Sequence, residues 1–229
     1  MKQILIITAL LISMTAFSQK KGFLSSSFGL GIPMSDYKWN ANAKIGFGYG
    51  IEGGYYFTKG IGVGAKISTI TNSVDEYFLL YDFKQELSGI DHNYISVNAT
   101  EWTLLNLAIG IYGKIPIGKH FEFEGKTLFG FLITQSPKYE FEFESDYGDF
   151  NFVEYPANSS VFQYNGELTF KYLIGESSSI NIFGSLTGAN PTFNVDVEST
   201  IDGVRERDYD IYSQNILLIN TGIGFTYRF

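Results

Sequence analysis

The sequence predicts an all-β protein: an eight-stranded antiparallel transmembrane up-and-down β-barrel with long extracellular loops. Three observations predict it. Apolar residues recur at every second position in eight segments, the links between these segments alternate short and long, and no apolar run reaches the length of a membrane-spanning helix.

The composition agrees. A chain of 229 residues suits a single β-barrel domain. Aromatic residues make up 17% and charged residues also only 17%, rich in rings and poor in charge for a soluble protein. With no cysteine, the chain has no disulfide framework, no thiolate metal site and no N-terminal cysteine for lipid attachment. A net charge of −8 disfavours nucleic acid as a partner, because that role needs a basic footprint.

The N-terminus predicts export. Lys2 precedes an apolar run over residues 4–11, and a small-residue box, Ala16-Phe17-Ser18, stands before Gln19. A short positive region, a short apolar region and such a box form a cleaved secretory signal peptide. Residues 1–18 are therefore expected to be the signal peptide and residues 19–229 the barrel domain.

The strands follow in order. Residues 24–32 place Leu24, Phe28, Leu30 and Ile32 on one face, against Ser25, Ser27, Gly29 and Gly31. Residues 45–57 oppose Ile45, Phe47, Tyr49, Ile51 and Tyr55 to Gly46, Gly48, Gly50 and Glu52. In 61–71, Ile61, Val63 and Ile67 oppose Gly62, Gly64 and Lys66. The segment 103–117 sets Leu105, Leu107, Ile109 and Ile111 against Asn106, Tyr112 and Lys114. Residues 121–133 set Phe121, Phe123, Phe129 and Phe131 against Glu122, Glu124 and Lys126. Residues 162–174 alternate Phe162, Tyr164, Leu168 and Phe170 with Gln163, Asn165, Glu167 and Lys171. The pattern is thinner in 180–188 and returns in 217–229, where Ile219, Ile223, Phe225, Tyr227 and Phe229 oppose Asn220, Gly222, Gly224 and Arg228. Each segment is long enough for a tilted strand to cross hydrocarbon.

A soluble sandwich would also alternate, with its apolar face turned inward. Aromatic residues gathered near strand ends, as in membrane-interface girdles, and glycine-rich opposite faces favour the membrane barrel. The short links are Thr58-Lys59-Gly60, Gly118-Lys119-His120 and residues 175–179; the long ones are 33–43, 72–100, 135–160 and about 189–212. Short turns belong on the periplasmic side and long loops outside, which puts both termini in the periplasm.

Several short motifs carry a resemblance. Gly224-Phe225-Thr226-Tyr227-Arg228-Phe229 resembles the terminal-aromatic signal of outer-membrane proteins, and Ser18-Gln19 resembles export junctions of Bacteroidota-type bacteria. Glu101-Trp102-Thr103-Leu104-Leu105-Asn106 resembles the Y-L-E-I-P-L strand of their small outer-membrane-protein β-barrel domain family, without its proline and tyrosine. The resemblance implies insertion by the barrel-assembly machinery, with Phe225, Tyr227 and Phe229 as the assembly signal and outer-membrane lipid as surroundings.

Catalytic and ligand motifs are sparse. The Gly46-x-Gly48-x-Gly50 and Gly60-x-Gly62-x-Gly64 runs lie within strands rather than before a helix, so they are not phosphate loops. His92, beside Asp91, and His120, in a short turn, have no spacing that suits a metal or a catalytic pair. Glu140, Glu142, Glu144, Asp146, Asp149 and Glu154 lack a calcium-loop spacing and are expected to form a solvated acidic surface. No enzyme activity, metal or cofactor is expected.

The loops have structure of their own. Ser73-x-x-Glu76 before residues 77–87 fits a capping box and short helix, while Tyr77, Leu79, Tyr81 and Phe83 equally fit a strand. Residues 139–144 continue the outward parity of 121–133, as a strand prolonged above the membrane. Asp202-Gly203 predicts a hairpin between residues 193–201 and 204–212.

The lumen is expected to hold Glu52, Lys66, Lys114, Glu122, Glu124, Lys126, Glu167, Lys171 and Arg228. Outward parity on both sides of each three-residue turn sets Glu52 opposite Lys66 and Lys114 opposite Glu124, the expected lumen charge pairs. An eight-stranded barrel is just wide enough for its side chains to fill it. The leading expectation is thus a barrel with a filled lumen that binds an extracellular ligand or protein through its prolonged strands, or reinforces the envelope. A small-solute channel and a lipid-modifying enzyme are the alternatives.

Overall fold

The computed structural model describes residues 21–86, 94–145 and 148–229. The expected signal peptide lies outside these residues, as do Asp91, His92 and Asp146.

Eight strands close into a barrel: β1 (Gly22–Met34), β2 (Gly46–Tyr56), β3 (Ile61–Asn72), β5 (Trp102–Ile117), β6 (Phe121–Gln135), β9 (Asn158–Ile174), β10 (Ser178–Ala189) and β13 (Ile216–Arg228). Each pairs antiparallel with its neighbour in the chain, and β13 closes on β1, with Leu24 opposite Tyr227. All eight expected strands are present. Closure leaves no unpaired barrel edge, the condition for placing sheet in hydrocarbon.

The alternating faces separate as the sequence predicts. Ile109, Tyr49 and Ile223 are 70%, 67% and 62% exposed on the outer wall, a density of bare apolar surface that only lipid tolerates. Rings line its periplasmic rim, where Phe121 stacks on Phe170 and packs against Tyr172. Close backbone approach requires glycine on the lumen face: a Cβ at Gly130 would stand 1.9 Å from the Leu107 carbonyl oxygen.

Outside the barrel stands a second sheet. Its members are β4 (Tyr94–Ala99), β7 (Tyr139–Ser145), β8 (Gly148–Glu154), β11 (Thr192–Ile201) and β12 (Val204–Ser213), in the spatial order β12-β11-β8-β7-β4. They prolong β5, β6, β9, β10 and β13 respectively, so five of the barrel's walls continue beyond the membrane. Pro137, Pro156 and Pro191 stand at three of the junctions, where a residue without an N–H interrupts the ladder. The β11–β12 hairpin turns on Asp202 and Gly203, both with positive φ (49° and 81°), as a two-residue type I′ turn requires.

One expectation about this sheet is corrected. On the parity of Phe129 and Phe131, Tyr139 and Phe141 would face outward; instead Tyr139 packs on the core over the barrel mouth and Phe141 meets Phe83 of the second loop. Ser136-Pro137-Lys138 leaves the strand, and β7 resumes turned over. The aromatic face thereby gains an apolar partner where there is no lipid to cover it.

Two helices lie in the long loops: α1 (Ser35–Trp39) and α2 (Glu76–Glu86). The second loop, open to helix or strand in the sequence, is a helix followed by β4. Asp75 rather than Ser73 caps it, its carboxylate accepting from the Phe78 N–H, while Glu76 accepts from the N–H of Ala99 on β4. No helix among the described residues is long and apolar enough to cross a membrane; strands make the crossing.

Candidate functional site

The interior is layered from periplasm to surface. Lowest is a ring cluster of Phe23, Tyr56 and Tyr112. The charged residues surround and overlie it, and cations rest on ring faces: Lys114 Nζ lies 3.8 Å from the Tyr56 centroid and Lys126 Nζ 5.3 Å from that of Tyr112.

All nine expected lumen charges are ion-paired, in a cluster of six around Lys126 and a cluster of three around Glu122, but the expected pairs are not among these ion pairs. Glu52 stands opposite Lys66 and Lys114 opposite Glu124 in the ladders. The ammonium of Lys126 nevertheless takes Glu52, at 2.6 and 2.8 Å, together with Glu167 at 2.6 Å and Glu124 at 3.3 Å. Lys66 pairs with Glu167, Lys171 with Glu124 at 2.9 Å, and Glu122 takes both Arg228 at 2.6 Å and Lys114 at 3.8 Å. The physical reason is the narrow bore. The Lys126 stem reaches across to Glu52 on β2, and its ammonium also keeps Glu167, opposite it on β9, and Glu124 on its own strand, so it gains three carboxylates instead of one.

Above the charges lies a chamber of about 40 Å³, lined by Ser27, Ser68, Asn106, Gln163, Asn165 and Asn220 among others. That is room for a few waters, and the buried side-chain oxygens of these four amides take no hydrogen bond from protein. An apolar cap then seals the mouth: Ile70, Leu104, Leu132 and Leu218 below, Tyr37, Trp102 and Phe193 above. Trp102 meets Tyr37 and Phe193 edge-on at 5.6 Å each, and Asn72 fixes the first loop by donating to the carbonyls of Gly31 and Lys44.

The chain is similar in structure to small outer-membrane barrels. Neisserial surface protein A superposes with a TM-score of 0.51 at 6% identity, over 92% of this chain and 98% of that one. A major outer membrane protein from Thermus thermophilus gives 0.51 at 12% identity, over 91% and 99%. The fold is that of an outer-membrane β-barrel. No family model and no curated protein matches the sequence.

On the surface, the structure divides the acidic residues that the sequence grouped together. Glu140, Glu142, Glu144 and Asp149 share the outer face of the sheet with Ser96 and Asn151. Glu154 lies on the other face, opposite Tyr139 and Val197. His120 is in its turn, 6.4 Å from the Tyr172 ring, and Phe225 and Tyr227 face outward beside β1 and β10. Sequence reasoning missed β4, β8, the Tyr37–Trp102 cap and the separate position of Glu154. The prolines at the strand junctions were the available signal for the strands.

At the sheet's free edge, β12 pairs only with β11. Its outward N–H groups at Tyr209 and Ile211 are capped by Asp208 and Asp210 at 2.8 and 2.7 Å. Such caps discourage indiscriminate strand pairing. Arg205 and Arg207 both clamp Glu198 and hold its carboxyl below the usual range.

Proposed function

We propose that this chain is a surface-displayed binding protein: the closed barrel anchors it, and β12 receives an extended segment of an extracellular protein partner. The observation that carries this reading is a full-length edge strand outside the membrane, with Tyr209 and Ile211 exposed beside the acidic side chains of Glu206, Asp208 and Asp210. Strand addition supplies affinity through main-chain hydrogen bonds and specificity through alternate side chains. The two aspartate caps select a partner whose basic side chains compensate the displaced carboxylates.

The competing channel reading requires a continuous path. The charge network and the apolar cap, which both lie across the bore, support the binding reading over that one.

Proline at Tyr209 tests the edge. Its N–H points away from β11, so Tyr209→Pro keeps the ladder to β11 and removes only the outward donor. The probe is a panel of extended peptides alternating lysine with apolar residues, presented to the folded protein in detergent. The expected result is saturable binding by wild type that Tyr209→Pro weakens several-fold. Unchanged binding in the variant, or none in wild type, overturns the proposal.

A further inference from the structure

A cleft of about 250 Å³ opens outward between α2, the Asn40–Asn42 turn and the inner face of the sheet. Its walls include Leu79, Trp102, Tyr139, Phe141 and Tyr212, and Glu154 is its only charged lining residue. One carboxylate oxygen of Glu154 is fully buried and accepts no hydrogen bond from the protein. The Tyr212 hydroxyl lies close enough to favour the charged form of the same carboxyl, and Asp210 adds a second negative charge nearby.

We propose that this cleft binds a primary organic ammonium ion, with Glu154 as its anionic anchor and the rings of Trp102, Tyr139 and Tyr212 as its walls. Three physical requirements coincide here. An unpartnered buried carboxylate oxygen needs a donor, and an ammonium N–H supplies one that is charge-assisted. Ring faces attract a cation once water is displaced. An apolar wall beside these groups accommodates a hydrocarbon tail but gives no purchase to an anion, since no lysine or arginine lines the cleft.

The local fold shows why the carboxylate is there. Glu154 closes β8 just before Tyr155-Pro156, where the chain leaves the sheet, and the resumed strand β9 has the opposite parity. A lone glutamate turned onto the aromatic side of a sheet costs stability unless something pairs with it. Every other carboxylate on β7 and β8 faces the solvated side. The cleft is separate from the β12 edge strand's free side, so its failure leaves the proposed protein-binding edge standing.

The test uses the full chain, folded in detergent micelles and titrated calorimetrically with three probes of similar shape: phenethylammonium, 2-phenylethanol and phenylacetate. Saturable binding of phenethylammonium is expected, roughly tenfold or more tighter than 2-phenylethanol, with no binding of phenylacetate. Glu154→Gln is expected to erase the preference of ammonium over alcohol while retaining the heat-modifiable folded band. Equal affinities of wild type for ammonium and alcohol, or no saturable ammonium binding, overturn the proposal whether or not the variant folds. Retained preference in a folded Glu154→Gln protein overturns it as well.

Discussion

Lys126 on β6 grips both carboxylate oxygens of Glu52 on β2, although Lys66 is the residue opposite Glu52 in the ladder. The barrel is thus cross-braced through its interior, between strands that do not touch along their backbones. Lys126→Met would leave the buried Glu52 without its cation and take one of two cations from each of Glu124 and Glu167. It should cost about 3–5 kcal/mol, the usual penalty for removing one partner of a buried ion pair. Urea unfolding of the barrel in detergent measures it. Glu52→Gln should cost less, because Lys126 keeps Glu124 and Glu167. Adding Lys66→Gln to Glu52→Gln should deepen the loss, since Lys66 serves Glu167 and not Glu52. Rescue in that double variant would show that the two residues pair directly.

Glycine spacing makes a second prediction. A Cβ at Gly130 would meet the backbone carbonyl of Leu107 at 1.9 Å, whereas one at Gly166 meets nothing within 4 Å. Gly130→Ala should therefore reduce stability and slow refolding into vesicles, because a strand has to move. Gly166→Ala should leave both unchanged, and it serves as the control for alanine in a membrane strand. Band-shift refolding kinetics on unboiled gels distinguish them.

The mouth cap makes a third. Trp102 is 1% exposed between Tyr37 and Phe193, and Trp102→Ala should cost about 3–5 kcal/mol as a large-to-small core change. Ion conductance should stay closed, because the charge network lies deeper in the bore and is untouched. Planar-bilayer recordings of wild type and Trp102→Ala should both lack stable openings. Steady steps in the variant alone would make the cap the sole seal.

The barrel was legible because its signal is local. Alternation such as Ile51-Glu52 or Phe123-Glu124 states which side of a strand faces lipid, and two three-residue turns then determine the registers that place Glu52 across from Lys66 and Lys114 across from Glu124. The partner of Glu52 was not legible, because it depends on the width of a closed bore and the reach of Lys126, which no pair of adjacent strands encodes; Lys126 and Glu167, by contrast, pair directly across the β6–β9 ladder. The cleft was hidden for a related reason. Reading Tyr139 and Glu154 requires knowing that the chain turns over at Pro137 and Pro156, and parity carried through a proline without interruption puts both on the wrong face.

Glu154 makes the last prediction, through its titration. Burial raises its carboxyl above the ordinary glutamate range, and the nearby Asp210 charge adds to the shift; the Tyr212 hydroxyl works against both. On the same inner face, Tyr139 on β7 and Tyr212 on β12 stay neutral across the accessible range, since burial pushes both phenols up. An acid with a raised folded pKa costs nothing below its unfolded value of about 4.3, where it is protonated in both states. As pH rises beyond that value, the unfolded chain loses the proton first, and stability falls until the folded carboxyl also ionises. Wild type should therefore lose stability relative to Glu154→Gln between about pH 4 and neutrality, leaving the variant more stable at about pH 7 and equal to wild type near pH 4. Other carboxylates titrate alike in both proteins, so the difference between their urea midpoints isolates this one. Phenethylammonium at saturating concentration should close the gap at neutral pH, because a bound cation favours the charged carboxylate. A constant gap across the pH range would mean that Glu154 ionises in the folded protein as it does in water.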